Sequence, residues 1–166
     1  MRDPVRQSTM VACNREGEHL AWDGLNEYDS EAVIATVHPH KLEKPTSPEM
    51  YRHHFRLLRD GLARWMAGTA SPAGMPTYER FVAGVAGALA HVRANHYGQN
   101  VLIVSSGGPI ATAVGHVLGI SPDVIIELNL RLALELFDAA PPAERPLYAR
   151  RVRHLSLLLE YAVNVL

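Results

Sequence analysis

One run near the middle of the chain constrains the fold most: residues 101–119 read VLIVSSGGPIATAVGHVLG. Four consecutive apolar residues are typical of a strand that is covered on both faces. Gly107 and Gly108 then predict a tight turn, and Pro109 suits the first turn of a helix. Gly119 is a typical helix C-cap. The run therefore predicts a strand, a turn and a helix over 109–118, which indicates an α/β fold.

The turn between this strand and helix has the features of an anion-binding site. A helix N-terminus presents unpaired N–H groups and a partial positive charge, and Ser105 and Ser106 add hydroxyl donors. Open α/β sheets bind ligands at this end of their strands. The pattern is neither a P-loop nor a nucleophile elbow, because it lacks the lysine of the first and the preceding glycine of the second. A plain glycine turn without a ligand stays open as the alternative.

The length of the chain predicts one domain over residues 1–166, since 166 residues are enough to bury a single core. Apolar residues recur at helical spacing before the central run, and Thr77 is a good N-cap. Leucines alternate at every second position after the central run, which favours a strand, although leucine and alanine also permit a helix. The predicted helices are 5–15, 31–37, 49–67 and 77–95, and the further strands are 125–138 and 146–153, followed by an apolar tail at 155–166.

Composition excludes several classes of function. The formal net charge of −1 gives no reason to expect a nucleic acid or an anionic membrane as partner. Cys13 is the single cysteine, so disulfides within the chain are excluded and a reducing, cytoplasmic location is the default. No apolar run reaches the roughly 20 residues of a membrane span. His38 and His40, two residues apart in a predicted loop, are weak support for a metal site, so we expect none.

Two segments together resemble the histidine phosphatase, or phosphoglycerate mutase-like, superfamily. The run at 101–120 is similar to the family's apolar strand, Ser-His-Gly-Gly turn and helix that ends in Leu-Gly, and GLNEYD at 24–29 looks like its Leu-x-Glu segment. The resemblance implies a three-layer α/β/α fold with a mostly parallel sheet. It also implies a phosphate-ester hydrolase or phosphoryl-transfer enzyme that acts on a small phosphorylated molecule without a metal or organic cofactor.

The resemblance assigns roles to four residues. Glu27 matches the glutamate that donates a proton to the leaving oxygen. Ser106 stands where most of the family has its second phosphate-binding histidine, and Gly107 follows it in the same anion cradle. Arg6 is the candidate for a phosphate-binding arginine, and an exposed helix arginine is the alternative interpretation of it.

The chain departs from the family because no Arg-His-Gly occurs in it, and that segment carries the nucleophilic histidine. His154, in an Arg-His pair without the glycine, is a remote candidate for a permuted nucleophile. We therefore expect a domain that is incomplete at its N-terminus, without the first strand and helix, and impaired in catalysis. A non-catalytic module that binds a phosphorylated ligand is the alternative, and a sugar-phosphate isomerase-type binding domain is third. Loss of an outer strand would expose a sheet edge, which predicts a homodimer or poor solubility.

Overall fold

The structure is a computed structural model that describes residues 9–12, 18–99, 101–138 and 157–161. These residues combine helices with a four-stranded sheet, which agrees with the α/β composition that the sequence predicts. In chain order the elements are β1 (Thr9–Ala12), β2 (Glu18–Ala21), a 3-10 turn (Asp23–Leu25), α1 (Ser30–Ala35), α2 (Pro48–Met66), α3 (Tyr78–Asn95), β3 (Val101–Ser105), α4 (Gly107–Leu118), α5 (Pro122–Asp138) and β4 (Leu157–Tyr161).

The predicted helix boundaries are confirmed where capping residues mark them. The Asp29 side chain accepts hydrogen bonds from the backbone of Glu31 and Ala32, at 2.9 and 3.1 Å, and so starts α1. Thr77 caps α3 in the same way, since its hydroxyl accepts from the Arg80 N–H at 3.3 Å. Gly119 ends α4 in the left-handed region with φ of 64°. Local hydrogen bonds at the termini thus fix these helices, as the sequence indicates.

The sheet differs from the prediction. Its strand order is β2-β1-β3-β4, and each of the three pairings between described strands is antiparallel. The expectation of a mostly parallel sheet is therefore wrong for the strands that the structure describes. Parallel pairing needs a crossover between neighbouring strands, whereas β1 and β2 are consecutive and separated by only a short connection.

Two secondary-structure predictions outside the central run are also wrong. Residues 125–138, predicted as a strand, belong to helix α5, and the predicted helix at 5–15 contains strand β1. Strand β4 forms within the predicted apolar tail. The predicted strand at 146–153 lies outside the described residues.

The core lies among the helices and is rich in aromatic side chains. Trp65 from α2 is 2% exposed and contacts Tyr78 and Phe81 from α3, with ring centroids 5.2 and 5.3 Å apart. Helix α5 adds Ile126 and Leu130, and the sheet adds Val101. Burial of this apolar area supplies the main driving force for folding. None of the described helices is both long enough and apolar enough to cross a bilayer.

Candidate functional site

Helix α4 follows β3 as the sequence predicts, but it begins at Gly107 and not at 109, so Gly107 and Gly108 lie in its first turn and not in a turn before it. Ser106 is the N-cap residue in extended conformation, and its carbonyl accepts the first helical hydrogen bond from the Ile110 N–H at 3.1 Å. Pro109 is fully buried in the first turn. The N-terminus of α4 therefore lies directly at the end of the central strand.

Ser105 joins this turn to the segment that carries Glu27. Its side chain is 5% exposed, and its hydroxyl donates a hydrogen bond of 2.7 Å to the Leu25 carbonyl across 80 positions of the chain. Leu25 itself is buried in the core. A buried hydrogen bond of this kind fixes two backbone segments relative to each other, because breaking it would leave a buried donor and a buried acceptor without partners.

Two glycines hold the other side of the same segment. Gly24 lies so close to Gly84 of α3 that a Cβ on Gly24 would stand 2.5 Å from the Gly84 carbonyl oxygen. Trp22 then reaches over the contact and donates its indole N–H to that same carbonyl at 3.2 Å. We call Trp22, Gly24 and Leu25, with their partners Gly84 and Ser105, the anchor. It positions the residues that follow Leu25.

Glu27, predicted as the acid, is brought to the N-terminus of α4. Its Oε2 accepts a hydrogen bond from the Gly108 N–H at 3.0 Å, and its Oε1 accepts one from the Tyr28 N–H at 3.2 Å. The residue as a whole is exposed to solvent, while its carboxyl group is held against the first turn of α4. Desolvation raises the pKa of the Glu27 carboxyl, against the opposing effect of the two backbone hydrogen bonds.

The predicted residue Ser106 lies beside this carboxyl group. Its hydroxyl is near enough to lower the Glu27 pKa, yet Ser106 Oγ is buried and has no hydrogen bond of standard geometry within the described residues. It does not cap its own helix either. A buried hydroxyl without a partner is rare in folded proteins, because its desolvation is uncompensated. Ser106 therefore offers a hydrogen-bonding group to whatever occupies this site.

Gly107 and Gly108 are needed because other groups approach their backbone closely. A Cβ on Gly108 would overlap Glu27 Oε1 and the Tyr28 ring, and one on Gly107 would stand 2.8 Å from Asn129 Oδ1. The predicted residue Gly107 is thus part of the same cluster as Glu27 and Ser106. We call Glu27, Ser106, Gly107 and Gly108 the Glu27 site.

Sequence reasoning missed two polar residues at this site, Tyr28 and Asn129. Asn129 donates its side-chain N–H to Tyr28 Oη at 2.7 Å. Burial, followed by the negative charge of Glu27, raises the pKa of the Tyr28 phenol, so the hydroxyl stays protonated. Asn129 and Leu130 lie three and four positions after Ile126, so the three residues share one face of α5. Read at helical period, this pattern would have placed Asn129 toward the protein interior.

A small cavity lies behind Gly108, with a volume of about 20 Å³ and space for roughly one water molecule. Tyr28, Tyr78, Trp65, Phe81 and residues of α4 and α5 line it. Burial raises the pKa of the Tyr78 phenol, and the nearby Thr112 side chain opposes this effect, although Tyr78 Oη makes no hydrogen bond of standard geometry among the described residues. The cavity extends the Glu27 site inward, but it is too small for an organic ligand.

The other candidates from the sequence are Arg6, His154 and the His38/His40 pair. Arg6 and His154 lie outside the described residues. His38 and His40 have ring centroids 5.9 Å apart, and the His38 ring hydrogen-bonds the His40 carbonyl. Within the described part of the chain, no group of three histidine, cysteine or acidic side chains has the arrangement of a metal site.

The chain is similar to one known family. The sequence model of the histidine phosphatase superfamily (branch 1) matches residues 16–134, which is more than two thirds of the chain and includes Glu27, Ser106 and Gly107. Arg6 precedes the matched range. No curated protein and no solved structure matches the chain.

Proposed function

Because the chain belongs to the histidine phosphatase superfamily, we propose that the Glu27 site binds the phosphoryl group of a small phosphorylated molecule. The observation that carries the proposal is the hydrogen bond of 3.0 Å from the Gly108 N–H to Glu27 Oε2. It joins the two motifs that resemble the family, although they are 81 positions apart in the chain. An acid beside a helix N-terminus suits phosphoryl chemistry. The helix N-terminus holds the anion, and the acid protonates the leaving oxygen.

In this proposal each residue of the site has a role. The N–H groups of the first turn of α4, the Gly107 backbone and the Ser106 hydroxyl hold phosphoryl oxygens, and Arg6 adds the positive charge. Glu27 is the acid, and the raised pKa of its carboxyl supports this role because more of the group is protonated at a given pH. The three-layer arrangement of the family fold belongs to the proposal as well.

We further propose that hydrolysis by this chain is weak or absent. Phosphoryl transfer through phosphohistidine needs the histidine of an Arg-His-Gly segment, and the sequence contains none. The second candidate function is therefore a non-catalytic module that binds a phosphorylated ligand. The buried Ser106 hydroxyl favours it, since the anion cradle keeps a hydrogen-bonding group available without the family's nucleophile.

The test combines hydrolysis with binding. We would measure the hydrolysis of p-nitrophenyl phosphate and the calorimetric binding of inorganic phosphate at mildly acidic pH, because a raised pKa increases the protonated fraction of the carboxyl at any given pH. The variants are Glu27→Ala and, as matched control, Glu31→Ala, which removes an exposed glutamate from the first turn of α1.

We expect the parent chain to bind phosphate and to hydrolyse the ester slowly or not at all. Hydrolysis that Glu27→Ala abolishes and Glu31→Ala retains would support Glu27 as the acid, and His154→Ala would then test the nucleophile. A folded chain that neither binds phosphate nor hydrolyses the ester would overturn the proposed function.

The homodimer remains part of the proposal. Strands β2 and β4 are the outer strands of the described sheet. Light scattering at increasing protein concentration would test it, and a monomer at all concentrations would contradict it.

A further inference from the structure

The N-terminus of α4 has few backbone donors for an incoming anion. Pro109 has no N–H, and the Ile110 N–H already donates to the Ser106 carbonyl at 3.1 Å. Gly107 and Gly108 therefore supply the donors of the first turn. The Gly108 N–H is bonded to Glu27 Oε2 at 3.0 Å. The carboxyl group of Glu27 thus occupies a position that a bound phosphoryl group would use.

The surroundings of the Glu27 carboxyl contain polar groups but no positive charge within the described residues. The groups that act on it are the backbone N–H groups of Tyr28 and Gly108 and the Ser106 hydroxyl. The Tyr28 phenol faces it from its own segment. From α5, Asn129 adds a neutral amide near Gly107. Two negative charges brought to the same backbone donor would repel each other, and the described residues place no positive charge beside them.

We propose that Glu27 determines which anions the site accepts, because a tetrahedral oxyanion binds the first turn of α4 only together with a proton on the Glu27 carboxyl. The inference rests on the proposed function. The proton comes from solvent and goes to a carboxylate oxygen. The neutral carboxyl then releases the Gly108 N–H to the anion, and its own O–H can donate a hydrogen bond to the anion. Binding also leaves the proton next to the phosphoryl group, where a leaving oxygen would take it up.

This coupling has a definite pH dependence. Burial raises the pKa of the Glu27 carboxyl above that of an exposed glutamate. Below that pKa the carboxyl is protonated and the anion binds with full affinity. Above it the protonated fraction falls, so the apparent affinity decreases by about tenfold for each pH unit.

The experiment uses sulfate, a tetrahedral dianion whose charge stays constant between about pH 5 and pH 8. Its dissociation constant would be measured by calorimetry across this range for the parent chain, Glu27→Gln and Glu31→Gln. Amide NMR of Gly108 would show whether sulfate reaches α4. Both variants remove one carboxylate, and all other side chains are the same in the three proteins, so the difference between the curves isolates Glu27.

We expect binding by the parent chain and Glu31→Gln to weaken by at least tenfold as pH rises over the range. Binding by Glu27→Gln should change far less and be tighter at the upper end. Parallel curves for the parent chain and Glu27→Gln would overturn the inference while leaving the anion site in place. Absence of sulfate binding and of any Gly108 shift in every folded protein would instead overturn the proposed function. If Glu27→Gln fails to fold, Glu27→Asp takes its place, because a shorter carboxylate should shift the pH of the transition.

Discussion

The anchor and the Glu27 site are adjacent along the chain but satisfy their polar groups in opposite ways. In the anchor, the Ser105 hydroxyl and the Trp22 indole N–H each donate to a backbone carbonyl, at 2.7 and 3.2 Å. In the Glu27 site, the next residue, Ser106, has a buried hydroxyl that lies beside the Glu27 carboxyl but makes no hydrogen bond of standard geometry, and no positive charge acts on that carboxyl within the described part of the chain. A region with complete hydrogen bonding serves structure, whereas one with incomplete bonding is prepared for a ligand.

The two regions also use glycine differently. Gly24 and Gly84 allow two backbones to touch, so they hold the anchor by direct packing. Gly107 and Gly108 leave room for the side chains of Asn129 and Glu27 at the helix N-terminus. The difference predicts that substitutions in the anchor reduce stability, and that substitutions in the Glu27 site change binding.

The largest effect should come from Gly24→Ala. The added Cβ would stand within 2.5–2.7 Å of three backbone atoms of Gly84, which cannot rotate away as a flexible side chain could. We expect the free energy of unfolding to fall by about 2–3 kcal/mol, measured by urea denaturation.

Gly87→Ala is the matched control on α3, because its Cβ would lie at an ordinary 3.6 Å from the Trp22 ring. Its higher helix propensity should leave stability unchanged or raise it by about 0.5–1 kcal/mol. Equal losses in the two variants would show that the close contact between Gly24 and Gly84 does not hold the anchor.

Ser105→Ala should have the next largest effect. It removes a buried hydrogen bond between the end of β3 and the Leu25 carbonyl. We expect the free energy of unfolding to fall by about 1–2 kcal/mol. Anion binding should weaken too, because Glu27 loses part of its positioning. A variant as stable as the parent chain would remove Ser105 from the anchor.

The anchor and the site differ as well in how far the sequence predicts them. Thr77, Asp29 and Gly119 mark helix ends through bonds to residues a few positions away, so their roles are readable from local pattern. The Leu25 carbonyl lies 80 positions from Ser105, and no local pattern indicates such a partner. Ser106 was indicated by the strand–turn–helix pattern, whereas Glu27 was predicted only because its motif resembles that of a family.

Helix α5 shows a different cause of error. Its alternating leucines suggest a strand, but leucine is a strong helix former and is compatible with any face of a buried helix. Ser121 and Pro122 were the overlooked signal, because proline suits the first helical position and the Ser121 carbonyl accepts from the Ile125 N–H at 3.1 Å. Strand β1 was missed because it pairs with β2 and with the distant β3, and pairing across the chain decides strand formation more than local propensity does.

Ser106→Ala should give the opposite result to Ser105→Ala. The hydroxyl that it removes is buried and makes no hydrogen bond of standard geometry with the described residues, so stability should stay within about 0.5 kcal/mol of the parent chain or rise. The affinity for sulfate at about pH 5.5 should fall roughly tenfold, because a hydrogen bond to a charged group is lost. Calorimetry and urea denaturation on the same two variants would test this reversal. A destabilised Ser106→Ala that binds sulfate normally would place Ser106 with the anchor instead.

The smallest effect concerns stability against pH. Because burial raises the Glu27 pKa above 4.5, the folded chain holds more of this proton than the unfolded chain at pH values between the two pKa values. The contribution of Glu27 to stability is therefore largest below the unfolded pKa and decreases as pH rises through the folded pKa.

Glu27→Gln removes this decrease, so its stability relative to the parent chain should increase with pH, whereas that of Glu31→Gln should not. Since Glu27 borders solvent, screening should keep the change below that of Ser105→Ala. Urea denaturation at several pH values would measure it, and a stability difference that falls with pH would mean that the α4 N-terminus stabilises the charged carboxylate.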